Sequence, residues 1–168
     1  MSRTIIAEPL TRAAFEPFGE VLEVRGKLHY PINGGKAERY HALAAAEVRG
    51  DNGAVLISIV RGKPYDLPLR LEMVERHPLG SQAFMPLARR PFLVVVCADE
   101  GGRPGRPQAF LAGPGQGVNY RCNQWHGVLT PIRRRQDFLV VDRGGDGVNL
   151  EEHFFDEPYE IRLPGRMP

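Results

Sequence analysis

The chain has 168 residues, of which 25% are charged and 42% hydrophobic, with a formal net charge of +2. That composition suits one soluble globular domain spanning 1–168, long enough to bury a core. The near balance of 22 Lys+Arg against 20 Asp+Glu gives no general field for nucleic acid, and two cysteines make no disulfide framework.

In chain order, Arg3 precedes only the short apolar patch Ile5-Ile6-Ala7, which Glu8-Pro9 ends, so no leader is expected. Thr11 is placed to cap a short helix from Arg12 to about Pro17, stopped by Gly19. Asn33-Gly34-Gly35 is turn chemistry. Glu38 to Arg49 carries an alanine cluster with helix propensity, yet its start, Arg39-Tyr40-His41, also reads as strand. Short apolar runs then follow at Ala54–Val60, Leu69–Arg76, Gln82–Leu87, Phe92–Ala98, Gln108–Ala112, Phe138–Asp142 and Tyr159–Leu163. Glycine and proline loops separate them, which predicts an all-β sandwich or barrel with few helices. Phe92–Ala98 and Phe138–Val141 are apolar on both faces, as for strands inside two packed layers. No run approaches a membrane span, and Arg133-Arg134-Arg135 lacks interleaved aromatics and reads as a solvated turn. A cytoplasmic, reducing setting is the expectation, with no membrane or nucleic-acid partner.

The chemistry is concentrated in two segments. In the first, Glu75-Arg76-His77-Pro78-Leu79-Gly80-Ser81 closes an alternating stretch. Period-two geometry puts Glu75 and His77 on the side of Leu69, Leu71 and Met73. An inward carboxylate and imidazole are costly unless paired or bound to something. Gln82 begins the next strand beyond a Pro-Leu-Gly turn and faces back. The second segment, Gly117 to His126, contributes His126. His77, His126 and Gln82, with Glu75 as a ligand or a general base, suit a first-row divalent metal such as Ni, Mn, Fe or Zn. A salt-bridged surface pair or a satisfied core histidine is the plainer reading of the same spacing. Tyr120 is a proton donor or a core aromatic. Arg61 and Arg39 are candidates to grip a carboxylate, or an ordinary strand end and a surface face.

These two motifs on short strands resemble a cupin, and more narrowly the ureidoglycolate lyase family. The likeness is carried by Glu75 to Phe84, by Gly117-Val118-Asn119-Tyr120 running to Trp125-His126, by Arg39-Tyr40-His41, by Ile57-Ser58-Ile59 with Arg61, and by Asp137 to Arg143. The resemblance implies a cupin-type antiparallel β-barrel or jelly roll. It further implies a cytoplasmic homodimer that cleaves (S)-ureidoglycolate to glyoxylate and urea in allantoin breakdown, with a divalent metal, nickel in the family. On that template His77, Gln82 and His126 hold the metal. Glu75 and Tyr120 are catalytic, and Arg61, Arg39 and Asn119 bind substrate. Two departures stand out. Gly127 follows His126 where the family reads a second histidine, and Arg121 replaces a histidine after Asn119-Tyr120. Other readings left open are a cupin oxygenase using Glu75, His77 and His126, and a cupin that binds a metabolite without catalysis.

Overall fold

A computed structural model describes residues 2–26 and 29–165. The N-terminal third contains β1 (Thr4–Ile6), β2 (Glu8–Pro9), helix α1 (Arg12–Phe15), β3 (Gly19–Leu22), β4 (His29–Ile32) and β5 (Ala37–Tyr40). Then come β6 (Ala54–Gly62), β7 (Leu69–Arg76), β8 (Gln82–Pro86), β9 (Phe92–Cys97), β10 (Asp99–Glu100), β11 (Arg103–Pro104) and β12 (Gln108–Ala112). The chain continues through β13 (Gly117–Tyr120), β14 (Trp125–His126), β15 (Thr130–Pro131), β16 (Gln136–Gly144) and β17 (Glu151–Arg162). The fold is all-β, as the punctuation predicts, and is consistent with a cupin-type barrel. Among the described residues, no helix is long and apolar enough to cross a membrane.

Two sheets organise the molecule. An eight-stranded sheet runs β1-β17-β7-β14-β9-β12-β2, with β15 also on β9, and a five-stranded sheet runs β3-β13-β8-β16-β6. β1 pairs with β17 at one edge of the larger sheet while β2, two residues on, pairs with β12 at the other. One short N-terminal segment therefore curls that sheet nearly closed. Its inside holds Leu69, Leu71, Val74, Leu93, Val95, Cys97 and Trp125. A second core, with Phe84, Val118, Tyr120, Phe138 and Val140, fills the space between the two sheets.

β9 explains why both cores form. Phe92, Val94 and Val96 point into the core between the sheets, and Leu93, Val95 and Cys97 into the other, so all six residues are buried. Each such side chain removed from water contributes about 1.5–3 kcal/mol. β16 departs from the matching expectation. Phe138 and Val140 are core residues, but Leu139 and Val141 lie on the outer face and are only half-buried.

Three local expectations change. Glu38–Arg49 forms no helix: β5 ends at Tyr40, and Val48 makes only an isolated bridge to Gly80. Its alanines supply propensity but no apolar stripe to bury, and tertiary burial decides short helices. Tyr159–Leu163 falls at the end of the longer β17, which stops at Arg162 and whose register against β7 slips between Phe154 and Tyr159. Opposite that slip, β7 changes the face it presents. Leu71 and Val74, three residues apart, both pack in the core inside the larger sheet. Strict alternation from Leu69 to His77 therefore fails. The helix at Thr11 does form over Arg12–Phe15, with the threonine Oγ1 accepting from the Ala14 N–H at 3.2 Å.

Candidate metal centre and active site

The face change in β7 has a chemical consequence. With Val74 turned into one core, Glu75 turns toward the other, where His126 of β14 lies directly opposite it and Val96 of β9 continues the row. Across the gap, Tyr120 of β13 and Gln82 of β8 form a directly opposed pair on the inner face of the five-stranded sheet. The Tyr120 and His126 rings stack at 4.2 Å between centroids and 6° between planes. Two cross-strand pairs, one from each sheet, thus face one another, and His77 joins them from the turn just after β7.

Both imidazoles have a defined tautomer. His77 Nδ1 lies 2.8 Å from the backbone oxygen of Asn149, and His126 Nδ1 lies 2.9 Å from that of Gly127. A carbonyl only accepts, so each Nδ1 carries a proton, and in the neutral ring the lone pair is then on Nε2. Among the described residues, those two Nε2 atoms and the Gln82 Oε1 are buried without a partner. Buried acceptors are ordinarily satisfied, so two orphaned imidazole nitrogens on rings 5.3 Å apart, with a third orphan on Gln82 of the strand pair that faces them, point to a cation or donor. One ligand atom from each of Glu75, His77 and His126 falls within 4.8 Å of the others. The donor set fits a divalent metal on this observation, with the second-ring hydrogen bonds that metal-ligating histidines need.

The surroundings set the protonation states. Burial pushes the Glu75 carboxyl above the ordinary carboxylate range; His77 pulls it down, and Glu152, its neighbour across β17, adds to the rise. Burial drives His126 down to about 3, the Gly127 carbonyl opposing and His77 reinforcing that shift, so its ring is neutral at pH 7. Tyr120, also buried and facing Glu75, is raised and stays a phenol.

The remaining motif residues build the frame. The Trp125 indole N–H donates to Asp99 at 3.0 Å, and Arg76 stacks over the Trp125 ring at 4.3 Å while pairing with Asp99 and Glu151. Asn149 also accepts the Leu79 N–H through its side-chain oxygen at 2.8 Å, which ties its loop to the His77 turn. Glu47 accepts the Cys122 N–H at 2.9 Å and donates its own N–H to Ser81 Oγ at 2.7 Å. Neither Asn149 nor Glu47 was legible in the sequence, since their partners stand 34 to 75 positions away. Cys122 points its thiol at the Pro78 carbonyl.

The other proposed substrate binders are not brought to this point. Arg61 forms a two-pronged pair with Asp137, at 2.8 and 3.0 Å, on the outer side of the five-stranded sheet. Asn119 also faces outward and donates to Glu20 at 2.8 Å. Arg39 is exposed on the β4–β5 hairpin. Arg121 pairs with Glu20 and Glu16 beside a cavity of about 440 Å³ that also takes in Arg12 and His41. None of the five inward residues lines that cavity. The missing second histidine matters less than the sequence suggests. A Cβ on Gly127 would meet Val95 and Leu71, residues of the core inside the larger sheet, so a side chain there points away from His126's partners.

A family model described as ureidoglycolate lyase matches residues 2–162. A protein from Chelativorans sp. (strain BNC1), called ureidoglycolate lyase, is 67% identical over 164 residues, covering 98% of this chain and 99% of that protein. One of the same name from Mesorhizobium japonicum is 67% identical over 160 residues, covering 95% of this chain and 98% of its own. Ureidoglycolate lyase 2 of Rhizobium meliloti is 58% identical over 153 residues, covering 91% and 94%.

Proposed function

The chain belongs to the ureidoglycolate lyase family, and from that membership and the inward polar cluster we propose that it cleaves (S)-ureidoglycolate to glyoxylate and urea. The observation that carries the reading is the clustering of two unpartnered buried imidazole nitrogens, His77 and His126 Nε2, with a Glu75 carboxyl of raised pKa. His77 Nε2, His126 Nε2 and Gln82 Oε1 are the proposed metal donors. A divalent cation there, nickel in our reading, would supply a Lewis acid that acidifies the substrate hydroxyl and offsets the carboxylate charge.

The chain's own groups then move one proton. Ureidoglycolate carries hydroxyl, carboxylate and ureido nitrogen on a single carbon. Glu75 takes the hydroxyl proton; the O–H electrons become the carbonyl of glyoxylate, the C–N bond breaks, and the nitrogen leaves with the electron pair. The protonated Glu75 hands its proton to that nitrogen, releasing urea and restoring the carboxylate. A raised pKa suits Glu75 to both halves of this transfer. Tyr120 holds its own proton and donates a hydrogen bond to the departing ureido group. Burial of His126 and Tyr120, 2% and 5% exposed, keeps bulk water from this side of the site.

The working assembly we propose is a homodimer in a reducing cytoplasm, a setting that suits the two free thiols Cys97 and Cys122. The test of the reaction is product analysis on purified protein. Equimolar glyoxylate and urea with no oxygen uptake is the expected result. Ammonia in place of urea would overturn the lyase chemistry, and oxygen consumption would point to an oxygenase instead.

A further inference from the structure

The run Arg133-Arg134-Arg135 does not stand alone in the fold. β6 and β16 pair Arg61 with Asp137 and Gly62 with Gln136, which sets Arg61 beside the end of the run. Arg90 Nη1 donates to the Arg135 carbonyl at 2.9 Å, which brings in Arg89-Arg90 from the loop after β8. The acid among these cations is Asp137, whose two oxygens take the Nε and Nη2 edge of Arg61. Between them lies a cavity of about 290 Å³ lined by Arg61, Leu87, Arg90, Arg135, Gln136 and Asp137. None of the inward polar residues lines it, and Leu87 lies just past β8, about 17 Å along the strand from Gln82.

Two features separate this cavity from a plain basic surface. The Arg134 N–H donates to the Ile132 carbonyl at 2.7 Å, closing a tight turn with Arg133 at φ 65°. Glycine would hold that conformation more cheaply, so an arginine stands there at a conformational cost. In the wall, Gln136 is 4% exposed, and its Nε2 donates to the Pro91 carbonyl at 3.2 Å. Among the described residues, its Oε1 is buried without a partner. A carbonyl only accepts, so the amide cannot be turned round, and the orphan is an acceptor in need of an O–H or N–H donor.

We propose that this cavity is a second ligand site, for a phosphate-bearing small molecule that also carries an O–H. Guanidinium groups such as those of Arg90 and Arg135 match phosphate oxygens in fork geometry. Arg61, Arg90 and Arg135 against Asp137 leave the net positive charge that a dianion needs. The O–H serves the one group that arginines cannot satisfy, Gln136 Oε1. Inorganic hydrogen phosphate offers both features, and so does a sugar phosphate. Sulfate has the same shape and charge but no proton to give. The small, concave shape suits a metabolite rather than a nucleic-acid strand.

The test is calorimetric titration of the purified full chain with inorganic phosphate, ribose 5-phosphate and sulfate at matched ionic strength. Inorganic phosphate or ribose 5-phosphate is expected to bind once per chain, about tenfold or more tighter than sulfate. Binding should weaken by about tenfold or more in Arg90→Ala/Arg135→Ala, whose turnover without phosphate stays at the wild-type level. Gln136→Leu is expected to bind phosphate and sulfate alike. Tighter ribose 5-phosphate identifies a phosphate ester as the occupant and tighter inorganic phosphate the free ion, and either supports the site. No saturable binding, undiminished binding in the arginine variant, or sulfate bound as tightly as phosphate by the wild type would overturn it. Arg90 and Arg135 are exposed, so the arginine variant decides even if Gln136→Leu does not fold.

Discussion

The inner end of the two-sheet core and the β6 edge are opposite departures from ordinary burial. At the first, polar acceptors are buried with nothing to bond: His77 Nε2, His126 Nε2 and Gln82 Oε1. At the second, Ile57 and Ile59 are exposed, with nothing among the described residues to cover them. Folded chains rarely tolerate either, because a buried unpaired acceptor costs about 1–3 kcal/mol and a bare apolar edge invites association. In the reading proposed above, a cation completes the first. The two differ in what the sequence shows. The β6 run reads as an ordinary strand, whereas the polar cluster interrupts an apolar pattern and can be seen in the residues alone.

The comparison breaks most visibly if the histidines prove dispensable. His126→Ala is expected to abolish turnover, by about a thousandfold or more, since it removes a donor whose ring also stacks on Tyr120. His153→Ala is the matched control. That ring packs edge-on against Trp125 and Phe155, so the variant should lose about 1 kcal/mol of stability and keep its activity. Steady-state kinetics with a denaturation curve separates the two outcomes.

Glu75→Gln comes next in size. As the proton shuttle, it should cost about a hundredfold in kcat with metal content unchanged. A parallel fall in metal content would make Glu75 a ligand instead, and near-normal turnover would remove it from the mechanism. The pH profile carries the same sign. Glu75 must be ionised to accept the hydroxyl proton, so activity falls as pH drops through its raised pKa, and this acid limb disappears in Glu75→Gln. Metal-free protein should also lose stability as pH falls from 6.5 toward 3. His126 is neutral when folded, with a pKa of about 3, but binds a proton near 6.5 when unfolded. Urea denaturation at pH 7 and pH 4.5 reads that loss.

Smaller still is Asn149→Ala. The side chain fixes the loop whose carbonyl orients His77, so metal affinity should fall about tenfold, measured by competition with a chelating dye. Smallest is Arg61→Ala. Its partner is Asp137 on the outer sheet face, both exposed enough for solvent to screen the pair. KM for ureidoglycolate should change by less than about twofold. A large rise would return Arg61 to the substrate and contradict the separation of inner and outer faces.

How much of this was legible before the structure depends on the range of the interaction. The strand runs and their Gly and Pro breaks are local, and they yield an all-β barrel. The pairing of the Glu75 segment with the His126 segment came from family resemblance and from the cost of burying a carboxylate. The alternation used to turn Glu75 inward does not hold, because β7 changes face between Leu71 and Val74 opposite the slip in β17. Glu75 faces His126 because of that irregularity, which no period-two pattern contains. Asn119 and Arg61 also lie in motif segments, and strand parity places both on the outer face. Asn149 and Glu47 act across loops far apart in sequence and left no local mark.

The central claim is that the inward polar cluster holds one divalent ion, and direct metal titration tests it. Metal-free wild-type protein titrated with Ni²⁺ at pH 7 in a calorimeter should bind one ion per chain, with binding lost in both His77→Ala and His126→Ala. Absence of stoichiometric binding by the wild type, or undiminished binding in either variant, would contradict the claim.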